Sequence, residues 1–477
     1  MLNEAVALGE ECILLYFLLV NSFYALVLLG AGAEMRRHQR ETFREQPQRL
    51  LGARIYPRIS ILSPAHNEES TIADSVRALL NHHYPEIEVV VVDDGSKDGT
   101  LEVLRDTFQL YEVEPSCDRA LPHQPLQKLY LSRQYPNLKV ASKANGGKSD
   151  ALNLGVLLAS GELTCVVDAD TLLEPDALQK LVRPFLFRAD VLAAGGSLRV
   201  VNGSRVEQSR VVEVCTPRAW LTGIQAVEYV RAFFLGRLGL NRLGGNLIIS
   251  GAFGLFRRAS ILEAGGYSTK TVGEDMELVV RSRKLAMERG QPSWVAFVPD
   301  PVAWTEAPSS RQVLHRQRDR WQRGLADSLW QHRNLFLNPA YGAMGLISYP
   351  YQLFIELLSP MVEALGWLLL VVGLLSGQFN SEFALGFWLA AYGYGLLLTL
   401  LALMLEQACF PAQRRPREVV WLVVWALAES IGYRQLTTWA RLQGTGRWFL
   451  GKSDWGRMER VGFRGPKAKE APSTSVA

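Results

Sequence analysis

Five consecutive residues, Gln317-Arg318-Asp319-Arg320-Trp321, put two guanidinium groups, an amide and an indole side by side. Such a string makes a poor core segment. Arginine forks match diphosphate oxygens, and an amphipathic aromatic face can stack on a pyranose ring. Two acidic clusters lie upstream, Asp168-Ala169-Asp170 and Gly273-Glu274-Asp275. Two carboxylates at the end of one strand repel each other unless a cation lies between them. A hard divalent ion bridging them to a diphosphate is the economical explanation. Asp275 can take the proton of an attacking hydroxyl. Blander readings stay open beside these. The pentad suits a basic amphipathic helix on anionic lipid. Asp168 and Asp170 suit a capped strand end, and Glu274 and Asp275 suit capping of a helix over 275–289.

Three further strings could contact a nucleotide. Ser63-Pro64-Ala65-His66-Asn67-Glu68 and Val92-Asp93-Asp94-Gly95-Ser96 each close an apolar run. A carboxylate there can accept the imide N–H of a uracil, with glycine allowing close backbone approach. Asp93 and Asp94 serve equally well as helix caps. Lys143-Ala144-Asn145-Gly146-Gly147-Lys148 precedes a helix that begins near Ser149. Glycines, a lysine and a helix N-terminus suit a diphosphate, or a plain glycine turn with a solvated lysine.

The elements that must carry these groups are legible from periodicity. Apolar runs at 59–64, 89–94, 163–170 and 191–198 read as buried parallel strands. Helical stretches at 69–81 and 150–159 lie between them. This alternation predicts an α/β fold with a doubly wound sheet and ligands at the carboxyl ends of its strands. Residues 113–137, with four prolines, read as a surface insertion.

Both ends are apolar. Residues 13–33 carry no charge, and about 20 apolar residues span a bilayer. A cleaved signal peptide competes, since Ala31-Gly32-Ala33 resembles a cleavage site. The run is too long for one, and Glu4, Glu10 and Glu11 precede it with no Lys or Arg. A retained anchor is favoured. Arg36, Arg37, Arg40 and Arg44 follow it, which places the next domain in the cytoplasm. Residues 345–375, 383–408 and 418–440 are three more candidate spans. Glu356, Glu363, Glu429 and Arg434 lie within them, and such charges are functional or face a wet cavity. Three clean spans would leave the basic tail 452–469 outside, against the positive-inside rule, so either one segment does not cross or the 345–375 region crosses differently.

Composition excludes other classes. The net charge of +4 over 477 residues gives no basis for nucleic-acid binding. The five cysteines, Cys12, Cys117, Cys165, Cys215 and Cys409, form no CxxC pair, so neither a zinc site nor a disulfide framework is expected. Asn202-Gly203-Ser204 reads as a chance sequon.

The ordered set DDGS, NGGKSDALN, DAD, GED and QRDRW resembles the inverting family 2 glycosyltransferases, in the cellulose synthase-like and hyaluronan/chitin synthase-like membrane group. The resemblance covers about residues 57–325, and within the group the bacterial poly-β-1,6-N-acetylglucosamine synthases are most similar. It implies a GT-A nucleotide-diphospho-sugar transferase domain with flanking transmembrane helices. Asp94 would bind uridine and Lys148 the nucleotide. Asp168 and Asp170 would hold Mg²⁺ or Mn²⁺ with the diphosphate. Asp275 would be the catalytic base, and Gln317, Arg318, Arg320 and Trp321 would bind diphosphate and acceptor sugar. The chain departs from the group in reading GED where TED is common, and in the longer stretches 113–137 and 205–249.

The implied enzyme takes a UDP-sugar, UDP-GlcNAc before UDP-glucose, and extends a β-linked polysaccharide processively. A glycolipid acceptor without processive synthesis is the alternative, and a non-catalytic nucleotide-sugar scaffold a remote one. The expected layout is an anchor at 1–35, a cytoplasmic transferase domain at 57–335, membrane or interfacial helices at 345–442 and a basic tail at 443–477. A multi-pass place in the cell (inner) membrane follows, with the lipid bilayer and accessory export subunits as partners and no nucleic acid.

Overall fold

The computed structural model describes residues 2–44, 56–115, 120–168, 171–207, 209–377, 379–410 and 414–451. Asp170, Cys117 and the tail from 452 therefore lie outside the described residues. Helix α1 (Leu2–Arg44) leads to β1 (Ile59–Ala65), α2 (Ile72–Leu80), β2 (Ile87–Asp94), α3 (Thr100–Thr107), β3 (Leu110–Val113), β4 (Leu126–Ser132) and β5 (Leu138–Lys143). Next come α4 (Lys148–Leu158), β6 (Leu163–Val167), β7 (Leu172–Leu173), α5 (Ala177–Phe187), β8 (Val191–Val200), β9 (Arg205–Glu207), β10 (Arg210–Glu213) and α6 (Trp220–Arg231). A wide-turn segment, Ala232–Arg237, joins α6 to α7 (Leu238–Arg242). The α/β part closes with β11 (Phe253–Arg257), α8 (Arg258–Glu263), α9 (Glu274–Glu288), β12 (Trp294–Thr305) and α10 (Arg311–Gln331). The apolar end holds α11 (Ser359–Leu375), α12 (Ser381–Trp388), α13 (Tyr394–Cys409), α14 (Pro416–Ala428) and α15 (Tyr433–Phe449).

The main sheet has ten strands in the order β3-β4-β5-β2-β1-β6-β11-β8-β12-β7. Its centre is parallel, with β5, β2, β1 and β6 in register. Alternate residues feed two cores. Ile59, Ile61, Val89 and Val91 pack on one face, and Leu62, Val90 and Val92 on the other. Burial on both faces explains the unbroken apolar runs.

The sheet is mixed rather than purely parallel. Strand β11 runs antiparallel between β6 and β8. The predicted surface insertion 113–137 contains β4, which pairs antiparallel with β3 and β5. Its prolines, Pro115, Pro122, Pro125 and Pro136, all fall outside the strand, as an edge requires. Strand β12 pairs with β8 across register shifts at Val298 and Pro301, so its prolines mask a real strand.

Among the described residues, three helices are long and apolar enough to cross a membrane: Val6–Thr42, Met344–Leu375 and Ser381–Cys409. The expected span at 418–440 is not one of them. It breaks after α14, and Gly432 (φ 82°) starts α15 in a new direction. The charges in that stretch explain the break. Glu429 pairs with Arg231 at 2.6 Å and Arg434 with Glu363 at 3.1 Å, so both turn inward rather than toward lipid. Helix α15 packs instead along α10. Helix α1 is tied to the α/β part by Asn241 donating to Glu34 (2.8 Å) and by His38 against Asp300 (2.7 Å).

The start of α9 meets α10 at two glycines. A Cβ built on Gly324 would lie 2.8 Å from the Gly273 Cα, and the reverse contact is the same. Replacing Gly324 by Ala forces these backbones apart, at a cost of about 1–3 kcal/mol. Gly446 on α15 meets nothing within 4 Å of a built Cβ, so Gly446→Ala is neutral or stabilises by about 0.5–1 kcal/mol. Thermal unfolding of the two detergent-purified variants checks this; equal midpoints would contradict it.

Candidate active site

The strand ends deliver the first set of groups. Asp94 closes β2 and is buried. One carboxylate oxygen accepts from the buried Lys143 ammonium and from the Gly146 amide at 2.9 Å. The other accepts from the Gly147 amide at 2.7 Å. Lys143 also pairs with Asp150 at 2.7 Å. Asp93 accepts from the Ser96 amide (3.2 Å) and the Ser142 hydroxyl (3.3 Å). The structure thus spends both carboxylates on shaping the loops 94–96 and 143–147. Gly147 adopts φ 89°, which an L-residue resists. That turn aims Lys148 away from Asp94 and opens α4.

Lys148 is the hub of the second set. Its ammonium lies 2.6 Å from Asp168 and 4.0 Å from Glu274, and it donates to the Gly251 carbonyl at 3.1 Å. Burial alone would lower its pKa; the charges of Asp168, Glu274 and Asp275 outweigh this and hold it above the ordinary lysine value. Glu274 responds in the opposite sense. Burial pushes its carboxyl up to about 7, Lys148 and Arg320 pull it down, and the neighbouring Asp275 charge pushes it up again. Glu274 and Asp275 open α9, where helix amides favour negative charge. Asp275 sits beside Gly251, whose built Cβ would be 3.0 Å from its Oδ2.

The third set lies on α10, capped by the Ser310 hydroxyl accepting from the Val313 amide. Gln317 and Arg318 are buried, and Trp321 is 42% exposed. Arg318 does not present its fork to solvent. Its Nη2 donates to Glu228 at 2.5 Å and to Tyr433 at 3.2 Å, and its guanidinium stacks 4.3 Å from the Trp321 ring centre. In this arrangement Arg318 holds Trp321 as a clamp. Asp319 faces away, toward Arg323 (3.0 Å) and Arg447 (3.3 Å). Arg320 acts electrostatically on Glu274.

One cavity of about 830 Å³ joins these groups. Lys148, Asp168, Asp275, Gln317, Arg318, Arg320 and Trp321 all line it, and Asp94 does not. The cavity continues between the apolar helices, where Glu356, Glu363, Glu429 and Arg434 line it too. These four charged residues, unexpected inside candidate spans, are all partnered. Tyr351 donates to Glu356 at 2.7 Å and Tyr392 to Glu363 at 2.9 Å. Sequence reasoning named Lys143 only as part of its glycine string and passed over Glu228, Arg231 and Tyr433, which pair with the named residues. None carries a motif; Lys143, inside a glycine string, offered the one available signal.

Of the two carboxylates expected to hold a divalent ion, Asp168 is the one among the described residues. Among the described residues no group of three His, Cys, Asp or Glu side chains could hold a metal. Asp168 nevertheless faces the cavity with a cation against it, the Lys148 ammonium. The wall is therefore suited to positive charge at that point, with Asp170 outside the described residues. Residues 446–453 read GRWFLGKS, the spelling of a phosphate loop. Gly446–Phe449 form the last turn of α15, so the strand–loop–helix context such a loop needs is missing.

Two family models match the chain: glycosyl transferase family 2 over residues 60–264, and glycosyl transferase family group 2 over residues 163–428. Among curated proteins, the chain is 28% identical to the probable glycosyltransferase YdaM of Bacillus subtilis over 307 residues, 64% of this chain and 63% of that protein. It is 27% identical to the poly-β-1,6-N-acetyl-D-glucosamine synthase of Staphylococcus epidermidis over 266 residues, 56% of this chain and 54% of that one. The chain thus spans less than two thirds of the length of either relative. Among solved structures, it is similar to a mannosyltransferase from Pyrobaculum calidifontis, with a TM-score of 0.49 and 20% identity over 87% of this chain and 99% of that one. The second family model alone covers more than half of the sequence, and the chain belongs to glycosyl transferase family group 2.

Proposed function

We propose that the protein is a membrane-embedded inverting glycosyltransferase that moves a sugar from a UDP-sugar to the end of a β-linked polysaccharide. The observation that carries this reading is the single cavity running from Lys148, Asp168 and Asp275, past Trp321, into the polar interior of the apolar helices. UDP-GlcNAc is the favoured donor, since one relative is named a poly-β-1,6-N-acetyl-D-glucosamine synthase; UDP-glucose is second. The cavity's length along the helices favours a growing chain over a lipid acceptor.

In this reading Asp275 takes the proton of an acceptor hydroxyl. The hydroxyl oxygen attacks the anomeric carbon from the face opposite UDP, forming the β-glycosidic bond. The anomeric C–O bond breaks and its electron pair leaves with UDP. Lys148 and Arg320 provide fixed positive charge where that anion develops, which is where preorganised charge accelerates most. Asp168, with Asp170, would hold Mg²⁺ or Mn²⁺, which supplies further neutralisation of the diphosphate. Gln317 and Trp321 hold the acceptor sugar, and Arg318 positions Trp321 through Glu228 and Tyr433. Asp94 acts on the uridine side by holding the loop 145–147.

The layout that goes with this chemistry is an anchor at 1–35, a cytoplasmic transferase at 57–335 and membrane or interfacial helices at 345–442. With three spans rather than four, the basic tail at 443–477 falls on the cytoplasmic side, as the positive-inside rule asks. Arg414 and Arg415 support that side, since they reach Glu406 (3.5 Å) and Glu213 of the α/β part (2.9 Å).

Asp275→Asn should lower sugar transfer at least about a thousandfold, as loss of a general base plus its charge does. UDP affinity should stay within twofold. Radiolabelled donor turnover and UDP titration on the same preparation measure both; a variant that folds but loses UDP binding contradicts the base assignment.

Glu274 gives a pH dependence. Below pH about 7 its carboxyl is protonated, and Lys148 is freer to meet an anionic diphosphate. Above that pH the Glu274 carboxylate competes for the ammonium. UDP affinity of the wild type should therefore fall between pH 6 and 8 relative to Glu274→Gln, by severalfold. Parallel pH profiles for the two proteins would show that Glu274 does not titrate in this range.

A further inference from the structure

Four polar side chains line the cavity with atoms that no described residue satisfies: Arg237 Nη1, Gln317 Oε1, Arg318 Nε and Gln352 Oε1. Arg237 stands out among the arginines of this region. Arg231 is paired with Glu429 and Arg318 with Glu228. Arg237 has no such carboxylate partner among the described ion pairs; its guanidinium lies 4.5 Å over the Phe233 ring. It belongs to the wide-turn segment Ala232–Arg237, a helical form enriched at functional sites. Asp275 is close enough to act on its charge, while burial pulls its pKa down to about 10. The protein thus bears the cost of a buried, incompletely bonded cation next to the residue assigned as base. Such costs persist where function requires them.

The atoms decide the ligand class. Arg237 offers a donor, and the two glutamine oxygens ask for donors. A sugar hydroxyl does both, accepting from the arginine and donating to an amide oxygen. A phosphate can only accept at neutral pH, and it would face two carbonyl oxygens and the Asp275 carboxylate. The set therefore fits a neutral, hydroxyl-bearing ligand rather than a phosphorylated lipid head.

We propose that Arg237, with Gln317 and Gln352, forms a binding subsite for a neutral sugar of the acceptor in the cavity that Asp275 also lines, fixing the hydroxyl that attacks. This deepens the transferase reading and rests on it. No bond is made or broken at the subsite. Arg237 acts by binding and orientation, and by holding positive charge beside Asp275.

The test compares wild type, Arg237→Met, Arg237→Lys and Gln352→Leu, each purified in nanodiscs. Two acceptor probes are offered with the UDP-sugar that the wild type turns over: a neutral β-linked GlcNAc pentasaccharide and a polyprenyl phosphate. Arg237→Met should raise the pentasaccharide KM at least tenfold and leave the UDP Kd within twofold. Its thermal midpoint should be equal to or above that of the wild type, because a costly buried charge is gone. Arg237→Lys should recover part of the loss, and Gln352→Leu should raise the same KM by a smaller factor. An unchanged KM in Arg237→Met overturns the subsite. So does a joint loss of thermal midpoint, UDP affinity and acceptor KM, which is what a purely structural arginine would give. Efficient use of the polyprenyl phosphate that depends on Arg237 overturns the neutral ligand class. Failure of the wild type to turn over any UDP-sugar overturns the transferase reading and the subsite with it, whereas a fully active wild type with an insensitive Arg237→Met overturns the subsite alone.

Discussion

The close contact between the start of α9 and the middle of α10 is the constraint on which the rest of the molecule depends. Gly273 and Gly324 let two backbones approach where any side chain would collide. That contact brings the acidic start of α9, with Glu274 and Asp275, against the helix that carries Gln317, Arg320 and Trp321. Helix α10 in turn supports α15 and, through it, the apolar helices. The α/β part and the membrane-length segments are thus joined through one rigid element instead of a flexible linker. Rigid support of this kind is what reaction geometry needs, because small misplacements of reacting groups cost large factors in rate.

Charge balance is the second constraint. The cavity is lined by Glu356, Glu363, Glu429, Arg434 and Arg231, of which Glu356 and Glu363 lie in a helix apolar enough to cross a bilayer. Each is held by a hydrogen bond or an opposite charge, as in the Arg231–Glu429 pair with two contacts of 2.6 Å. Breaking a buried pair by removing one partner costs about 3–5 kcal/mol, so this lining is rigid as well as polar. The same logic separates Arg318 from Arg237. Both line the cavity and each keeps one unbonded nitrogen, but Arg318 is bound to Glu228 and Tyr433, whereas Arg237 has no carboxylate partner among the described ion pairs.

How far the sequence could be read depended on what each signal reports. Strand ends β1, β2 and β6 were legible because strands buried on both faces leave continuous apolar runs. The carboxylates at those ends stood out for the same reason. Strands β4, β11 and β12 were not legible. Their runs are short, glycine-containing or interrupted by Pro299 and Pro301, so local pattern pointed to loops while pairing with neighbours made strands. The span expected at 418–440 matched a membrane helix in composition alone; the turn at Gly432 and the inward pairing of Glu429 and Arg434 depend on partners distant in sequence. The same holds for the site. Lys148, Asp168, Asp275 and Trp321 appear in strings that announce chemistry. The use of Arg318 as a clamp depends on Glu228 and Tyr433, 90 and 115 residues away.

The central claim is that sugar transferred near Asp275 passes along the cavity between the apolar helices. Ile355 lines that cavity beyond Trp321. Replacing Ile355 by photoreactive benzoylphenylalanine, feeding a radiolabelled UDP-sugar to the nanodisc-embedded protein and irradiating during turnover tests the claim directly. The account predicts that label becomes covalently attached to the protein only when donor is consumed, and that attachment disappears in the Asp275→Asn background. Abundant labelled product with no attachment at position 355 would contradict it.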